Sequence, residues 1–435
     1  MATEVARETK SKERRALKER TVEAPPPSDG ATAAPGKRSK LIGRARAAEH
    51  AVFLVPGLLG FENFSTFSYF ADRVVAALRA GLEQSWLGPV PVLPVPIPPT
   101  ASLRERQRRL VKTLADRLHS VEHGHTPLSV HLVGHSTGGV DANLLTHDRP
   151  LGGGTWADID PRAPELRQRI RSVISLASPH QGACIARDPL AHLLSARDPR
   201  GLPALADVFS KFLASVIGDF EMQTVASSLL REGEKTLHFT QQLFARWELL
   251  DDLQPTRDPR QLQQKSDVLR RSFVTIAGRP ILGHTETPLE DAFFREMSRR
   301  AAGWETGAAE TGQLVQASVA RLQRALDEDE GVLVLKGAGI ELPPQLDAGH
   351  NDGVVNAARQ LIDPSNADEL AGIVVADHFD VVGYYDRYMF QTDEEGNDEA
   401  TQVLSGLLHS GSGFRDDQFF ELYRRIADVI AAGWQ

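Results

Sequence analysis

The stretch LSVHLVGHSTGGVDANLL, residues 128–145, decides how this chain folds. It starts as an apolar, partly β-branched run, passes through Gly-His-Ser-Thr-Gly at 134–138, and continues with apolar residues at helical spacing. A strand that enters a helix through this pattern predicts a sharp, strained turn with an outward-pointing serine hydroxyl. Glycines flank the serine because larger side chains there would collide with the neighbouring strand and helix. Ser136 is therefore the predicted nucleophile.

Short apolar runs occur on both sides of this stretch, and segments with helical periodicity separate them. Buried parallel strands are nearly continuously apolar, as these runs are. Strands that alternate with helices predict an α/β fold with a mostly parallel central sheet and helices on both faces. The predicted strands are residues 51–55, 90–95, 129–133, 172–177, 272–277 and 372–376, and the predicted helices include 66–83, 102–120, 288–301 and 311–327.

Composition divides the chain into a tail and one large domain. Residues 1–47 combine charge runs with a Pro/Ala/Gly-rich stretch, so we predict a disordered tail. Residues 48–435 form the predicted folded domain, which helical insertions interrupt at 186–271 and 280–345. Within the first insertion, the amphipathic stretch 202–220 predicts either a lid over a ligand crevice or an ordinary core-packing helix.

The bulk composition, with 41% hydrophobic and 25% charged residues, is that of a soluble globular protein. The net charge of −9 argues against a nucleic-acid partner, because such proteins usually present a basic surface. The single cysteine, Cys184, excludes an intrachain disulfide and a cysteine cluster for zinc. The sequence shows no apolar signal-peptide core and no run long enough to span a bilayer. It therefore predicts a cytoplasmic location by default and leaves signal-independent export open.

A serine nucleophile needs a histidine base, and the histidine needs a carboxylate that orients it. In chains with such a serine turn, the order along the sequence is Ser, then Asp or Glu, then His. His378 directly follows the last predicted strand and is the favoured base, with His350 as its rival. Asp352, in a tight Asp-Gly turn, is the favoured acid, and Asp347 and Asp363 remain alternatives.

Acyl transfer also requires backbone N–H groups that bind the developing oxyanion. The loop after the first predicted strand, residues 56–61, lies where one such donor is expected. We predict the N–H of Leu58 as this donor and the N–H of Thr137, next to the serine, as the second. His135 and His180 flank predicted strands and are expected to pack or hydrogen-bond near the site.

Four separated parts of the sequence resemble the bacterial triacylglycerol lipases and their esterase relatives in the α/β-hydrolase superfamily. They are VFLVPGLLGF, HLVGHSTGGVDA, ISLASPHQGA, and NDGVV together with DHFDVV, and they span residues 51–385 outside most of both insertions. The resemblance implies an α/β-hydrolase fold, with the nucleophile at Ser136, the acid at Asp352 and the base at His378. It also implies an oxyanion amide at Leu58, in a loop with proline where the family often has histidine, and a second amide directly after the serine.

Some of these lipases bind a structural calcium ion through the aspartate two residues after the base, which is Asp380 here. The other side-chain ligands of that site do not map onto this sequence, since Tyr384 stands where the family has an amide-bearing residue. The disulfide of some relatives has no counterpart either. Calcium near Asp380 therefore stays an open alternative, and we assign no metal ligand and no cofactor.

Together these features predict a serine hydrolase of carboxylic esters, lipase- or esterase-like, that works through a Ser-Asp-His triad and an acyl-enzyme. The expected partner is an acyl ester or a lipid, with transient contact at a lipid interface and with no nucleic acid. The same three residues would also serve a phospholipase effector, an acyltransferase or a thioesterase, which remain alternatives. A non-catalytic binding scaffold of the same fold is the alternative from another functional class.

Overall fold

The computed structural model describes residues 49–432 apart from several gaps. These gaps are 59–62, 65–66, 87–88, 99–100, 122–127, 188–247, 255–266, 281–291, 308–311, 329–330, 386, 393–397 and 404–409. The tail predicted at 1–47 and the amphipathic stretch 202–220 lie outside the described residues. No helix in the described part of the chain combines the length and the apolar character that crossing a bilayer requires.

A central sheet of seven parallel strands carries the fold. In spatial order its strands are β4 (Val92–Pro94), β1 (His50–Val55), β5 (Ser129–His135), β6 (Ile170–Leu176), β7 (Leu269–Ile276), β11 (Leu370–Val375) and β9 (Leu333–Leu335). Most of these strands are buried along much of their length, which explains their nearly continuous apolar sequence. The predicted parallel sheet is confirmed, and a strand lies at each of the six predicted positions.

Helices connect the strands, and short strand pairs lie outside the main sheet. The helices are α1 (Asp72–Trp86), α2 (Leu103–Val121), α3 (Thr137–Leu144), α4 (Ala163–Arg169), α5 (Glu248–Asp252), α6 (Ala292–Gly307), α7 (Gln313–Glu328) and α8 (Asp416–Ala432). The pairs are β2 (Asn63–Phe64) with β3 (Phe67–Ser68), β8 (Arg279–Pro280) with β10 (Ile340–Glu341), and β12 (Arg387–Thr392) with β13 (Asp398–Val403).

The sheet buries a hydrophobic core on each face, because successive strand residues point to opposite sides. The core under α1 and α8 includes Leu54, Leu78, Phe273 and Phe419. The core under α2 and α4 includes Phe53, Leu110, Leu166 and Val173. Beneath α7, the sheet contributes residues to a further cluster that includes Val274, Leu322 and Ile373. Helices therefore cover both faces, and with the strand–serine turn–helix unit this is the α/β-hydrolase fold expected from the sequence.

Two elements of this fold escaped the sequence analysis. The stretch predicted as the second insertion contains α6 and α7, close to the predicted helices, but it also supplies the edge strand β9. Three residues are too few for periodicity to indicate a strand. Helix α8 packs against α1, where Gly81 permits a close approach: a Cβ on Gly81 would lie 2.9 Å from the Cβ of Ala427.

Candidate active site

Ser136 lies in a strained turn between β5 and α3. Its φ of 54° and ψ of −133° lie in a region that residues with side chains seldom adopt. Gly134 and Gly138 occupy positions with no room for a side chain. A Cβ on Gly138 would lie 2.0 Å from the carbonyl oxygen of Val55, and one on Gly134 would lie 2.4 Å from the carbonyl oxygen of Gly138. These contacts explain why glycine stands on both sides of the serine.

The structure brings Ser136, His378 and Asp352 together. The Oγ of Ser136 lies 2.9 Å from Nε2 of His378, and Nδ1 of the same ring lies 2.9 Å from Oδ2 of Asp352. Only 6%, 2% and 0% of these residues is exposed, respectively. Because a carboxylate accepts hydrogen bonds, the hydrogen of the neutral ring belongs on Nδ1, and the lone pair of Nε2 faces the serine hydroxyl.

Asp352 is fixed by groups on two sides. Its Oδ1 accepts from the backbone N–H groups of Val354 at 3.0 Å and Val355 at 2.7 Å, within its own turn. Its Oδ2 accepts from the hydroxyl of Thr275 in β7 at 2.6 Å. Gln360 fixes Thr275 in turn, since its amide pairs with the backbone N–H and carbonyl of Thr275 at 2.8 and 3.0 Å. The carboxylate therefore has little freedom to leave the imidazole.

The rival residues named from the sequence lie elsewhere. His350 bonds the carboxylate of Asp347 at 2.8 Å, on a partly exposed turn. Asp363 accepts from the hydroxyl and the amide of Ser365. His180 lies 2.9 Å from the hydroxyl of Ser175 in β6. Among the histidines and aspartates considered from the sequence, the described structure thus places only His378 and Asp352 in line with the serine.

The loop after β1 lies directly against the serine. A Cβ on Gly57 would be 2.6 Å from the Cβ of Ser136, so Leu58, the next residue, belongs to the same side of the turn. Thr137 is the first residue of α3, and its N–H has no acceptor within the helix because the first four amides of a helix lack one. Thr137 thus directly follows Ser136, and Leu58 directly follows Gly57, which contacts Ser136. The role of their N–H groups as oxyanion donors stays a prediction.

A buried ion pair joins the loop after β1 to α3, the helix that follows Ser136. Arg106 in α2 is 0% exposed; its Nη2 donates to the carbonyl of Pro56 at 2.9 Å and to Oδ2 of Asp141 in α3 at 2.6 Å. A further bond runs from its Nη1 to the carbonyl of Pro98 at 2.7 Å. Burial raises the pKa of Asp141, and the guanidinium of Arg106 opposes that shift. The pair thus joins the loop that precedes Leu58 to the helix that follows the serine.

A chain of polar side chains runs behind the serine. The hydroxyl of Tyr69 lies 2.8 Å from Nδ1 of His135, and Nε2 of His135 lies 2.8 Å from the carbonyl oxygen of His378. Burial lowers the pKa of His135 well below its ordinary value, and the neighbouring His378 adds to the effect. His135 therefore stays neutral near pH 7 and can hold the backbone of His378 by a neutral hydrogen bond.

The aspartate pair after β11 shows bonds within the protein. Oδ2 of Asp380 accepts from the backbone N–H of Asp377 and from the hydroxyl of Ser412, both at 2.8 Å. Burial, and next the charge of Asp380, raise the pKa of Asp377 well above its ordinary value. Across the described residues, no group of three or more His, Cys, Asp or Glu side chains is arranged to hold a metal ion.

Four polar residues around the site were not named from the sequence: Tyr69, Arg106, Thr275 and Gln360. Thr275 belongs to a predicted strand, but an apolar run gives no sign that one hydroxyl faces an aspartate. Arg106 belongs to an arginine-rich helix whose other charges are mostly exposed. Its position on the buried face of the helix, with Leu103 and Leu110, is the signal that sets it apart. Contacts of this kind join residues that are distant along the chain, so only the fold reveals them.

The arrangement suits nucleophilic attack by a serine. It offers a serine hydroxyl in a strained turn and an imidazole nitrogen in hydrogen-bond distance of that hydroxyl. A buried carboxylate lies behind the imidazole, and the loop after β1 lies against the serine. Such a set generates an alkoxide-like nucleophile without a metal ligand and stabilises an oxyanion.

Comparisons with known proteins give several similar structures. No protein-family model matches the sequence, and no curated protein matches it. The structure is similar to that of a Staphylococcus hyicus lipase, at 15% identity and a TM-score of 0.45 over 93% of this chain and 98% of that chain. It is similar to EstA from Clostridium botulinum, at 15% identity and a TM-score of 0.41 over 88% and 87%. It is also similar to lipase 1 from Pelosinus fermentans, at 16% identity and a TM-score of 0.42 over 77% and 94%. At such identities the likeness concerns the fold alone.

Proposed function

We propose that this chain is a serine hydrolase that cleaves carboxylic esters, with lipids or other acyl esters as its substrates. The hydrogen-bonded path from Ser136 through His378 to Asp352 is the observation that carries the proposal. A serine hydroxyl is a poor nucleophile until a base accepts its proton, and the base needs a carboxylate that fixes its tautomer. Two distances of 2.9 Å in a nearly buried site, Ser136 Oγ to His378 Nε2 and His378 Nδ1 to Asp352 Oδ2, support this proposal.

The first half of the reaction forms an acyl-enzyme. Oγ of Ser136 attacks the ester carbonyl carbon while its proton passes to Nε2 of His378. The carbonyl oxygen becomes an oxyanion, which the N–H groups of Leu58 and Thr137 bind; each such donor contributes about 3–4 kcal/mol in other hydrolases. The C–O bond of the ester then breaks, and the alcohol leaves with the proton from His378.

The second half releases the acid. Water attacks the acyl carbon while His378 takes one of its protons, and the same two amides bind the second oxyanion. The bond to Ser136 breaks, Oγ recovers its proton from His378, and the carboxylic acid leaves. Asp352 remains ionised throughout and stabilises the imidazolium that forms in each half.

Ser136→Ala tests the nucleophile with p-nitrophenyl butyrate as the substrate. We expect kcat/KM to fall by at least about 10⁴-fold, because among the described residues it is the hydroxyl of Ser136 that lies in hydrogen-bond distance of His378. Ser178→Ala is the matched control: this serine is also buried nearby, and its hydroxyl donates to the carbonyl of Leu176 at 3.1 Å. Turnover that survives in Ser136→Ala would refute the proposal, as would an equal loss in both variants.

A substrate panel then separates the ester hydrolase from its alternatives. Short and long p-nitrophenyl esters, a triglyceride emulsion, phospholipid vesicles and acyl-CoA are offered to the wild type and to Ser136→Ala. We expect Ser136-dependent hydrolysis of the carboxylic esters, with the chain-length series showing the preferred acyl group. Turnover of acyl-CoA alone would contradict the proposal and favour a thioesterase or an acyltransferase.

A further inference from the structure

A second path of contacts links the loop after β1 to the base His378, and the mechanism above does not use it. It begins at Gly57, where a Cβ would lie only 2.6 Å from the hydroxyl oxygen of Tyr69. From Tyr69 it continues through the imidazole of His135, the residue before the nucleophile, to the backbone carbonyl of His378. Tyr69 and His135 are both buried, at 4% and 0% exposure, so water does not replace these bonds.

The His378 end of this path fixes the direction of its hydrogen bonds. The His378 carbonyl only accepts. His135 must therefore carry its hydrogen on Nε2 and accept at Nδ1, so the Tyr69 hydroxyl donates to His135. Burial lowers the pKa of His135 and raises that of Tyr69, so both stay neutral near pH 7 and the direction persists.

At its first end, the path contacts the peptide that precedes the proposed oxyanion donor. Arg106 donates to the carbonyl of Pro56 at 2.9 Å, and the hydroxyl of Tyr69 packs closely against Gly57, the next residue. Leu58 directly follows Gly57, so these two contacts hold the chain immediately before the proposed donor.

At its other end, the path holds the backbone of the base. The carbonyl of His378 accepts from His135 at 2.8 Å, and its N–H donates to the carbonyl of Asp352 at 3.0 Å. The imidazole ring of His378 also packs against that of His135, with 4.7 Å between ring centroids. The backbone of His378 is therefore hydrogen-bonded to Asp352 on one side and to His135, the last residue of β5, on the other.

We propose that Tyr69 and His135 are positioning residues that hold the loop after β1 and the base His378 in the correct places relative to Ser136. The inference rests on the proposed function and assigns a role to two side chains that touch no reacting atom. Oxyanion donors are effective when they need no reorganisation as charge develops. A misplacement of about 1 Å costs on the order of 10²-fold in rate, so a path that fixes both ends matters to kcat.

Tyr69→Phe tests the first link, because it removes one hydroxyl and keeps the ring. We expect kcat for p-nitrophenyl butyrate to fall by about 10- to 100-fold with KM within about twofold of the wild type. The rate of phosphonylation by a fluorophosphonate, whose phosphoryl oxygen occupies the oxyanion hole, should fall in parallel. Tyr385→Phe is the matched control, since that ring is equally buried and its hydroxyl bonds Asp416 instead.

Two substitutions of His135 test the second link. Glutamine carries an amide nitrogen that reaches the position of Nε2 and donates to the carbonyl of His378, whereas phenylalanine keeps the ring shape and donates nothing. We expect His135→Gln to retain at least about tenfold more of kcat than His135→Phe. A purely structural role predicts instead that both lower the melting temperature while kcat of the folded protein stays unchanged.

The outcomes separate this inference from the proposed function. If Ser136→Ala is inactive while Tyr69→Phe and His135→Phe, both folded by circular dichroism, turn over at the wild-type kcat, the positioning role is wrong and the nucleophile stands. If Ser136→Ala keeps its activity, the proposed function itself is wrong. Should Tyr69→Phe fail to fold, the pair of His135 variants carries the same test.

Discussion

Two regions around Ser136 are held in place by contacts that span different distances along the chain. We call the turn that carries Asp352 the acid side, and the loop at Pro56 together with the backbone of His378 the oxyanion side. The carboxylate of Asp352 receives two backbone N–H groups from its own turn, two and three residues along the chain. On the oxyanion side, the carbonyl of Pro56 is held by Arg106, 50 residues away, and the backbone of His378 is held by a residue 243 positions earlier. The first arrangement is mostly local, with Thr275 in β7 as its long-range contact, and the second exists only once the sheet has assembled.

From this difference we expect mutations in the two regions to change different properties, either the reaction rate or the free energy of unfolding. A change on the acid side leaves the fold intact, because the turn around Asp352 keeps its backbone, and it should appear in the rate of reaction. A change on the oxyanion side removes a bond that joins separate elements, so it should appear in the free energy of unfolding as well. Each experiment below separates these two responses.

Asp352→Asn should give the largest loss of rate. The amide keeps the shape of the side chain but removes the charge and allows the wrong tautomer of His378, so we expect kcat to fall by about 10⁴-fold. The urea midpoint should change little. Asp347→Asn is the control, because that carboxylate bonds His350 on an exposed turn and should leave kcat unchanged. Equal kcat values in the two variants would contradict the role of Asp352.

Arg106→Met should give the largest loss of stability. Removing the guanidinium leaves the carboxylate of Asp141 buried and uncompensated, which costs about 3–5 kcal/mol. Replacing both partners, in Arg106→Met with Asp141→Leu, should restore much of that loss. Urea unfolding followed by circular dichroism measures both, and a single variant within 1 kcal/mol of the wild type would refute the anchoring role.

Thr275→Val should slow the reaction without unfolding the protein. Valine keeps the shape but loses the hydroxyl that donates to Asp352 at 2.6 Å. Hydrogen bonds to charged groups contribute about 1.5–3 kcal/mol, so we expect kcat to fall by roughly 10- to 100-fold. Thr146→Val is the control, because the hydroxyl of Thr146 bonds only the carbonyl of Asn143 among the described contacts. A kcat equal to that of the control would show that Thr275 is dispensable.

The smallest predicted effect is a pH dependence of the free energy of unfolding, caused by His135. The lowered pKa of His135 means that the folded protein binds fewer protons there than the unfolded chain does. Its contribution to stability is therefore fully present above about pH 6.5 and is lost as the pH falls below that value. Relative to His135→Gln, the wild type should lose up to about 1.4 kcal/mol per pH unit more.

Urea unfolding at pH 7.5, 6.5 and 5.5 measures this difference. Other buried histidines, such as His131 with a pKa lowered to about 3, contribute equally to both proteins and cancel. Parallel stability curves for the wild type and His135→Gln would contradict the assignment.

The same contrast explains what the sequence could predict. The strands are long apolar runs, the serine turn has its glycines within four residues, and the acid lies in an Asn-Asp-Gly turn, so all of these carry local signals. The apolar residues of α8 also recur at helical spacing, whereas the three-residue β9 has no period to detect. Tyr69 and Arg106 meet their partners only through the assembled sheet, and no spacing along the chain predicts those contacts.

The most direct test of the central claim is the intact mass of the protein after reaction with a fluorophosphonate. We expect one adduct per chain, located on Ser136 by peptide mapping, and a labelling rate that falls by at least about 10³-fold in His378→Ala. An adduct on another residue, or equal labelling rates in the wild type and His378→Ala, would contradict the claim that His378 activates Ser136.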